Sequence, residues 1–197
     1  VPGILDHPAA IGRIAAAVDL PVSADLEAGY GDAGETARRA IGVGIVGANL
    51  EDQMKPLPDA VAAVAAVVKA GEAEGVPFVL NARTDAFLRA GDRDRTDVIA
   101  DAVERGRAFL DAGAACVFVP GLLDEPTVTA LVQGIGERRV SVINVPGSLP
   151  QARLAELRVA RVSFGPWTQR ATLTYLADLA ADLYAGGALP EGARPLN

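Results

Sequence analysis

Two hydrophobic regimes alternate along the chain. Short, nearly continuous apolar runs fall at 20–25, 47–51, 77–83, 115–120, 139–145 and 161–165. Between them lie longer segments whose apolar residues recur every three or four positions, at 7–18, 35–43, 58–74, 96–112, 124–135, 150–157 and 168–185. The first pattern predicts strands and the second amphipathic helices. Pro8, Pro58 and Pro150 suit first helical turns, Thr96 followed by Asp97 suits an N-cap, and Gly71, Gly75, Gly113 and Gly186 suit helix ends. The last helix carries Leu173, Leu176, Leu179 and Leu183 on one stripe.

One helix between each pair of strands implies right-handed βαβ units and a parallel sheet. Strands that are apolar throughout, instead of alternating, are covered on both faces. An open doubly wound sheet and a (β/α)8 barrel both satisfy this. Three consecutive runs end in charged residues: Leu20–Ala24 leads into Asp25-Leu26-Glu27, Gly47–Leu50 into Glu51-Asp52, and Phe78–Ala82 into Arg83-Thr84-Asp85. Polar residues at the carboxyl ends of successive strands suit a barrel mouth, whereas an open sheet concentrates them at one switch point. The barrel is therefore expected, although six strands fall short of eight.

A chain of 197 residues, half of it hydrophobic, can bury one large core, so a single domain over 1–197 is expected. A formal charge of -7 and a pI near 4.7 argue against a nucleic-acid surface, which needs clustered Lys and Arg. The lone cysteine, Cys116, rules out an internal disulfide and reads as a small buried hydrophobe. The only histidine, His7, has no second imidazole with which to share a zinc ion or build a triad. No apolar stretch approaches the length of a bilayer span, and Val1-Pro2-Gly3 begins no signal-like segment. A cytoplasmic protein without membrane contact is expected.

Candidate chemistry lies at the strand ends. Asp25 and Glu27 precede Ala28-Gly29-Tyr30-Gly31, a turn that lets backbone approach a ligand. Hard carboxylate oxygens without imidazole or thiolate select Mg2+, or Mn2+, with several waters retained. Glu51 and Asp52 on the next strand would complete the acidic wall.

These residues lie in motifs that resemble the isocitrate lyase and phosphoenolpyruvate mutase superfamily. Pro21-Val22-Ser23-Ala24-Asp25-Leu26-Glu27-Ala28-Gly29-Tyr30-Gly31 is similar to its strand-and-turn signature. Gly47-Ala48-Asn49-Leu50-Glu51-Asp52-Gln53 and Asn81-Ala82-Arg83-Thr84-Asp85-Ala86-Phe87 are similar to the next two, in family order and spacing. The resemblance implies a TIM-type barrel and a reaction that makes or breaks a C–C or P–C bond beside a carboxylate, through an enolate-like intermediate with Mg2+ as cofactor. It also implies that Asp25, Glu27 and Glu51 hold the metal and that Arg83 grips a small carboxylate substrate. Gly29, Tyr30 and Asn144 would complete the substrate site. The segment from Val1 to Val18 resembles the helix before the family's third strand, so the six strands would be the third to eighth, with the first two absent from this chain.

The departures from the family are specific. Where isocitrate and methylisocitrate lyases carry a mobile loop with a cysteine acid or base, this chain reads Gln53-Met54-Lys55-Pro56-Leu57-Pro58. Those two activities are not expected, and Lys55 is a partial counterpart of the lysine in the mutase gating loop. The alternative is a catalytically impaired relative that binds metal and carboxylate or forms oligomers. Family members exchange their last helix between subunits, which implies a homodimer or homotetramer.

Overall fold

The computed structural model describes residues 7–192 and 194, with side chains from Ala10 onward. The readings made for Val1 to Asp6, and for the His7 side chain, fall outside the described residues. The chain divides into two compact units, Val1–Ser163 and Phe164–Asn197.

In the first unit the elements alternate without exception: α1 (His7–Ala15), β1 (Val22–Asp25), α2 (Ala33–Gly42), β2 (Ile45–Glu51), α3 (Leu57–Ala73), β3 (Val79–Arg83), α4 (Arg95–Asp111), β4 (Cys116–Val119), α5 (Glu125–Ile135), β5 (Val140–Ile143), α6 (Gln151–Glu156) and β6 (Arg161–Ser163). The second unit carries α7 (Trp167–Tyr184). No residue of α7 is buried, and Leu173, Tyr175 and Leu176 are exposed.

All six strands pair in parallel, in the order β1-β2-β3-β4-β5-β6. Each strand neighbours the next in sequence, so there is no switch point, and the doubly wound alternative is excluded. The sheet curls into a half-barrel of the TIM type that lacks some of its strands.

The core lies between the convex face of this sheet and its helices. Leu80, Val117, Val119 and Val140 on the strands meet Val67, Val98, Phe109 and Leu131 on the helices, and all are essentially inaccessible to water. Each such side chain contributes about 1.5–3 kcal/mol relative to exposure. Close helix–sheet approach needs small residues. A Cβ built on Gly71 would lie 2.6 Å from the Phe78 Cβ, so this glycine, in the last turn of α3, is also a packing residue. Gly75, Gly113 and Gly186 do follow helix C-caps, with positive φ.

Helix starts depart from expectation in two places. α2 starts at Ala33, two residues before the expected 35, and Asp32 caps it, its carboxylate accepting from the Glu35 N–H at 2.9 Å. Thr96 lies inside the first turn of α4, whose N-cap position is Asp94. β1 starts only after Pro21, which has no N–H to give to a ladder.

Candidate active site

The inward face of the half-barrel carries every second residue of each strand, and the register sets these residues in tiers. Asp25 pairs with Asn49 and Asn49 with Asn81; one step further along, Glu51 pairs with Arg83 and Arg83 with Phe118. The second tier lies at the carboxyl ends of the strands, where backbone bonds stitch adjacent ends together. Glu51 N–H donates to the Glu27 carbonyl at 2.7 Å, Asp52 N–H to the Arg83 carbonyl at 2.9 Å, and Thr84 N–H to the Phe118 carbonyl at 2.9 Å. Three motifs far apart in sequence are thereby brought to one rim.

The turn after β1 is shaped by positive φ. Asp25 Oδ1 accepts from the Glu27 N–H at 2.9 Å, and Glu27, Gly29, Tyr30 and Gly31 all have left-handed φ. Gly29 is buried, and a Cβ on it would lie 2.6 Å from the Ala33 Cβ and 2.7 Å from the Ala33 Cα. Only glycine fits there. Its contacts are to the turn itself, since its N–H donates to the Leu26 carbonyl and its carbonyl accepts from Thr36 Oγ1.

This turn brings Tyr30 back over the acids. Burial, then the Glu27, Asp25 and Glu51 carboxylates facing it, push the phenol above its ordinary value. Asp25 and Glu51 end β1 and β2, and Glu27 lies in the turn after β1. Among the described residues no three carboxylate, imidazole or thiolate groups close into a ready-made metal cage. The donor set fits a hard cation that takes one or two carboxylates and completes its shell with water, which is the habit of Mg2+.

Arg83 is clamped from two sides. Its Nη1 lies 2.9 Å from a Glu51 carboxylate oxygen and its Nε 2.7 Å from Asp85 Oδ1. Gln53 Nε2 donates to the other Glu51 oxygen at 3.0 Å. Arg83 and Glu51 keep part of their side chains in solvent, so both can reach a ligand, while Asp85 is buried and serves to aim the guanidinium.

Asp52 does not join the acidic wall. Neighbouring strand residues point to opposite faces, and Asp52, the residue after Glu51, turns behind the sheet toward α4. There Oδ1 accepts from the Met54 and Asp85 N–H groups at 2.9 and 3.0 Å, and Oδ2 meets Arg105 Nη1 at 3.2 Å. Lys55 is exposed and lines a narrow crevice with Ala28, Glu51, Asp52, Arg83 and Phe109. The crevice has about 10 Å3 for a water centre, room for one molecule. Asn144 stands at the end of β5, where its amide donates to the Leu149 carbonyl at 3.0 Å and closes the 145–149 turn.

Two residues of this constellation escaped the sequence reading, Asp85 as a holder of Arg83 and Arg105 as the partner of Asp52. Arg105 did carry a signal. It occupies the helical stripe Val98, Ala102, Arg105, Phe109, where an apolar residue is due.

Fold and charge placement together define an α/β half-barrel with its polar constellation at the strand carboxyl ends, the position of active sites in TIM-type enzymes. The family model for phosphoenolpyruvate phosphomutase matches residues 5–184. The chain belongs to that family, within the isocitrate lyase and PEP mutase superfamily of enzymes. An uncharacterized protein of Mycobacterium tuberculosis (strain CDC 1551 / Oshkosh) is 33% identical over 185 residues, 93% of this chain and 67% of that protein. A solved structure from Burkholderia cenocepacia J2315, assigned as a phosphonomutase, is 35% identical with a TM-score of 0.82, covering 89% of this chain and 76% of that one. Phosphonopyruvate hydrolase, solved with oxalate and Mg2+, shares the fold with a TM-score of 0.76 at 24% identity, covering 98% of this chain and 73% of that one. Among the described residues no helix is long and apolar enough to cross a membrane.

Proposed function

We propose that this protein is a Mg2+-dependent lyase-type enzyme that cleaves or forms a C–C or P–C bond in a small α-keto or 2-hydroxy carboxylate. The observation that carries this reading is the Glu51–Arg83–Asp85 clamp beside Asp25 and Glu27 at the strand carboxyl ends. Asp25, Glu27 and Glu51 would hold the cation, directly or through water. When bound it supplies charge stabilisation to an enolate-like oxygen.

The remaining work belongs to the chain. Arg83, aimed by Asp85, offers a planar fork to a substrate carboxylate. Tyr30 stays protonated and can donate a hydrogen bond to an anionic oxygen, and the Gly29 turn holds it there. Asn144 lends a further polar group at the rim. Bond cleavage beside a carbonyl leaves an electron pair that must take up a proton, and Lys55, on the crevice it shares with Glu51 and Arg83, is the candidate donor. A cytoplasmic homodimer or homotetramer belongs to the same reading, supported by the exposed leucines of α7 and testable by sedimentation.

The shortened turn at 53–56, with no cysteine, favours a second reading in which metal and carboxylate bind without turnover. Calorimetry of the full-length protein with Mg2+ and oxalate, followed by product assays on a panel of α-keto and 2-hydroxy di- and tricarboxylates, separates the two. Binding with turnover supports the enzyme, binding alone supports the impaired relative, and absence of any Mg2+-dependent oxalate binding overturns both.

A further inference from the structure

The turn after β2 is built in an unfavourable conformation and tied down from behind. Gln53 and Met54 are consecutive non-glycine residues with φ of 50° and 56°, a conformation that such side chains adopt only when their surroundings impose it. The restraint comes from a helix fifty residues away. Arg105 on α4 is 9% exposed, and its Nη1 donates both to Asp52 Oδ2 at 3.2 Å and to the Lys55 carbonyl at 3.0 Å. Its Nε is held by Asp101 Oδ1 at 2.9 Å. Asp52 in turn takes the Met54 N–H at 2.9 Å, and Lys55 N–H donates to the Asp52 carbonyl at 2.9 Å. Both ends of the turn therefore rest on one guanidinium. The turn's only side-chain bond toward the mouth is from Gln53 Nε2 to Glu51 Oε1, among the described residues.

We propose that Arg105 is a positioning residue: it locks the 52–55 turn in its left-handed form and, through Gln53, sets the direction of the Glu51 carboxylate. It touches no ligand. The geometry gives Nη1 two jobs that a hydrophobe cannot do, a charge for buried Asp52 and a donor for the Lys55 carbonyl, while Nε, held by Asp101, fixes its aim. That the aimed carboxylate serves a metal rests on the function proposed above, whereas the locking of the turn does not.

Hydrogen exchange and Mn2+–oxalate calorimetry on the full-length protein test the two halves separately. Arg105→Lys keeps the charge but loses the Nε–H that Asp101 holds, and with it the fixed aim of the donor. Exchange at the 53–55 amides is expected to rise at least tenfold, with the rest of α4 little changed, and Mn2+–oxalate affinity to fall at least fivefold. Gln53→Ala, on the rim, is expected to give the same loss of affinity with exchange unchanged. Met54→Asn suits the left-handed conformation, and added to Arg105→Lys it is expected to recover at least half of the lost affinity, which a purely structural charge would not produce. Unchanged exchange in Arg105→Lys, or full affinity in Gln53→Ala, overturns the proposal. Should Arg105→Lys fail to fold, Gln53→Ala still decides the link to Glu51. If the wild-type protein binds no Mn2+–oxalate, the metal reading falls, and the exchange measurement alone decides whether Arg105 holds the turn.

Discussion

Glu51 and Arg83 are ladder partners on β2 and β3 whose side chains meet at 2.9 Å on the inward face of the sheet. The pair is only partly buried, so solvent weakens its mutual attraction and leaves both groups available to ligands. Asp85, in contrast, is buried beside the same guanidinium.

Replacing Arg83 by Met should therefore do two separable things. Oxalate affinity should fall at least tenfold, because the planar donor is gone, and stability should drop by about 1–3 kcal/mol because Asp85 loses its main partner. Arg89, 3.7 Å from Asp85, offers weak compensation. Calorimetry and urea denaturation read the two effects; unchanged oxalate binding would remove Arg83 from the site.

Two glycines of the same turn make a controlled comparison. Gly29→Ala forces a Cβ to within 2.6 Å of Ala33 at φ +83°, while Gly31→Ala at φ +95° meets nothing within 4 Å. The first should cost about 3 kcal/mol or more and the second about 1 kcal/mol, the latter from backbone strain alone. Equal midpoints in urea for the two variants would contradict the packing described here.

Cys116 should behave as an inert thiol. Burial raises it from 9.0 to about 11, more than the Val117 backbone and the nearby arginines lower it. The folded chain thus holds a proton that the unfolded chain has already released, so this contribution is intact below pH 9 and is lost as pH rises through 9 to 11. The loss amounts to about 3 kcal/mol. Cys116→Ala should flatten the fall in stability over that window, and the native thiol should react with Ellman's reagent only as fast as the protein opens.

Lys55→Met tests the proposed proton donor. If the enzyme reading is right, kcat should fall about a hundredfold with oxalate affinity within twofold of wild type. A kcat within a factor of three would reduce Lys55 to a solvated loop residue.

Much of the architecture is legible in the chain because periodicity reports burial. All six strands and seven helices fall where apolar runs and helical stripes put them, and Asp25, Glu27, Glu51 and Arg83 stand out as charges that end apolar strands. Asp52 shows where such reading stops. Adjacent to Glu51, it joined the acidic wall on paper, yet the two-residue repeat of a strand sends it to the opposite face, where Arg105 receives it. The period was available in the sequence; the identity of the partner was not.

Local pattern was thus enough to establish the alternating strands and helices of a parallel α/β fold, a glycine-rich turn after β1 and the candidate charges of the rim. These depend on side-chain period, backbone sterics and short-range capping, all of which act within a few residues. Tertiary structure alone decided that Glu51 faces Arg83, that Asp85 aims it, and that Arg105 reaches back from α4 to hold the 52–55 turn. Such pairings depend on strand register and helix docking, which join residues tens of positions apart, and no local sequence pattern contains those distances.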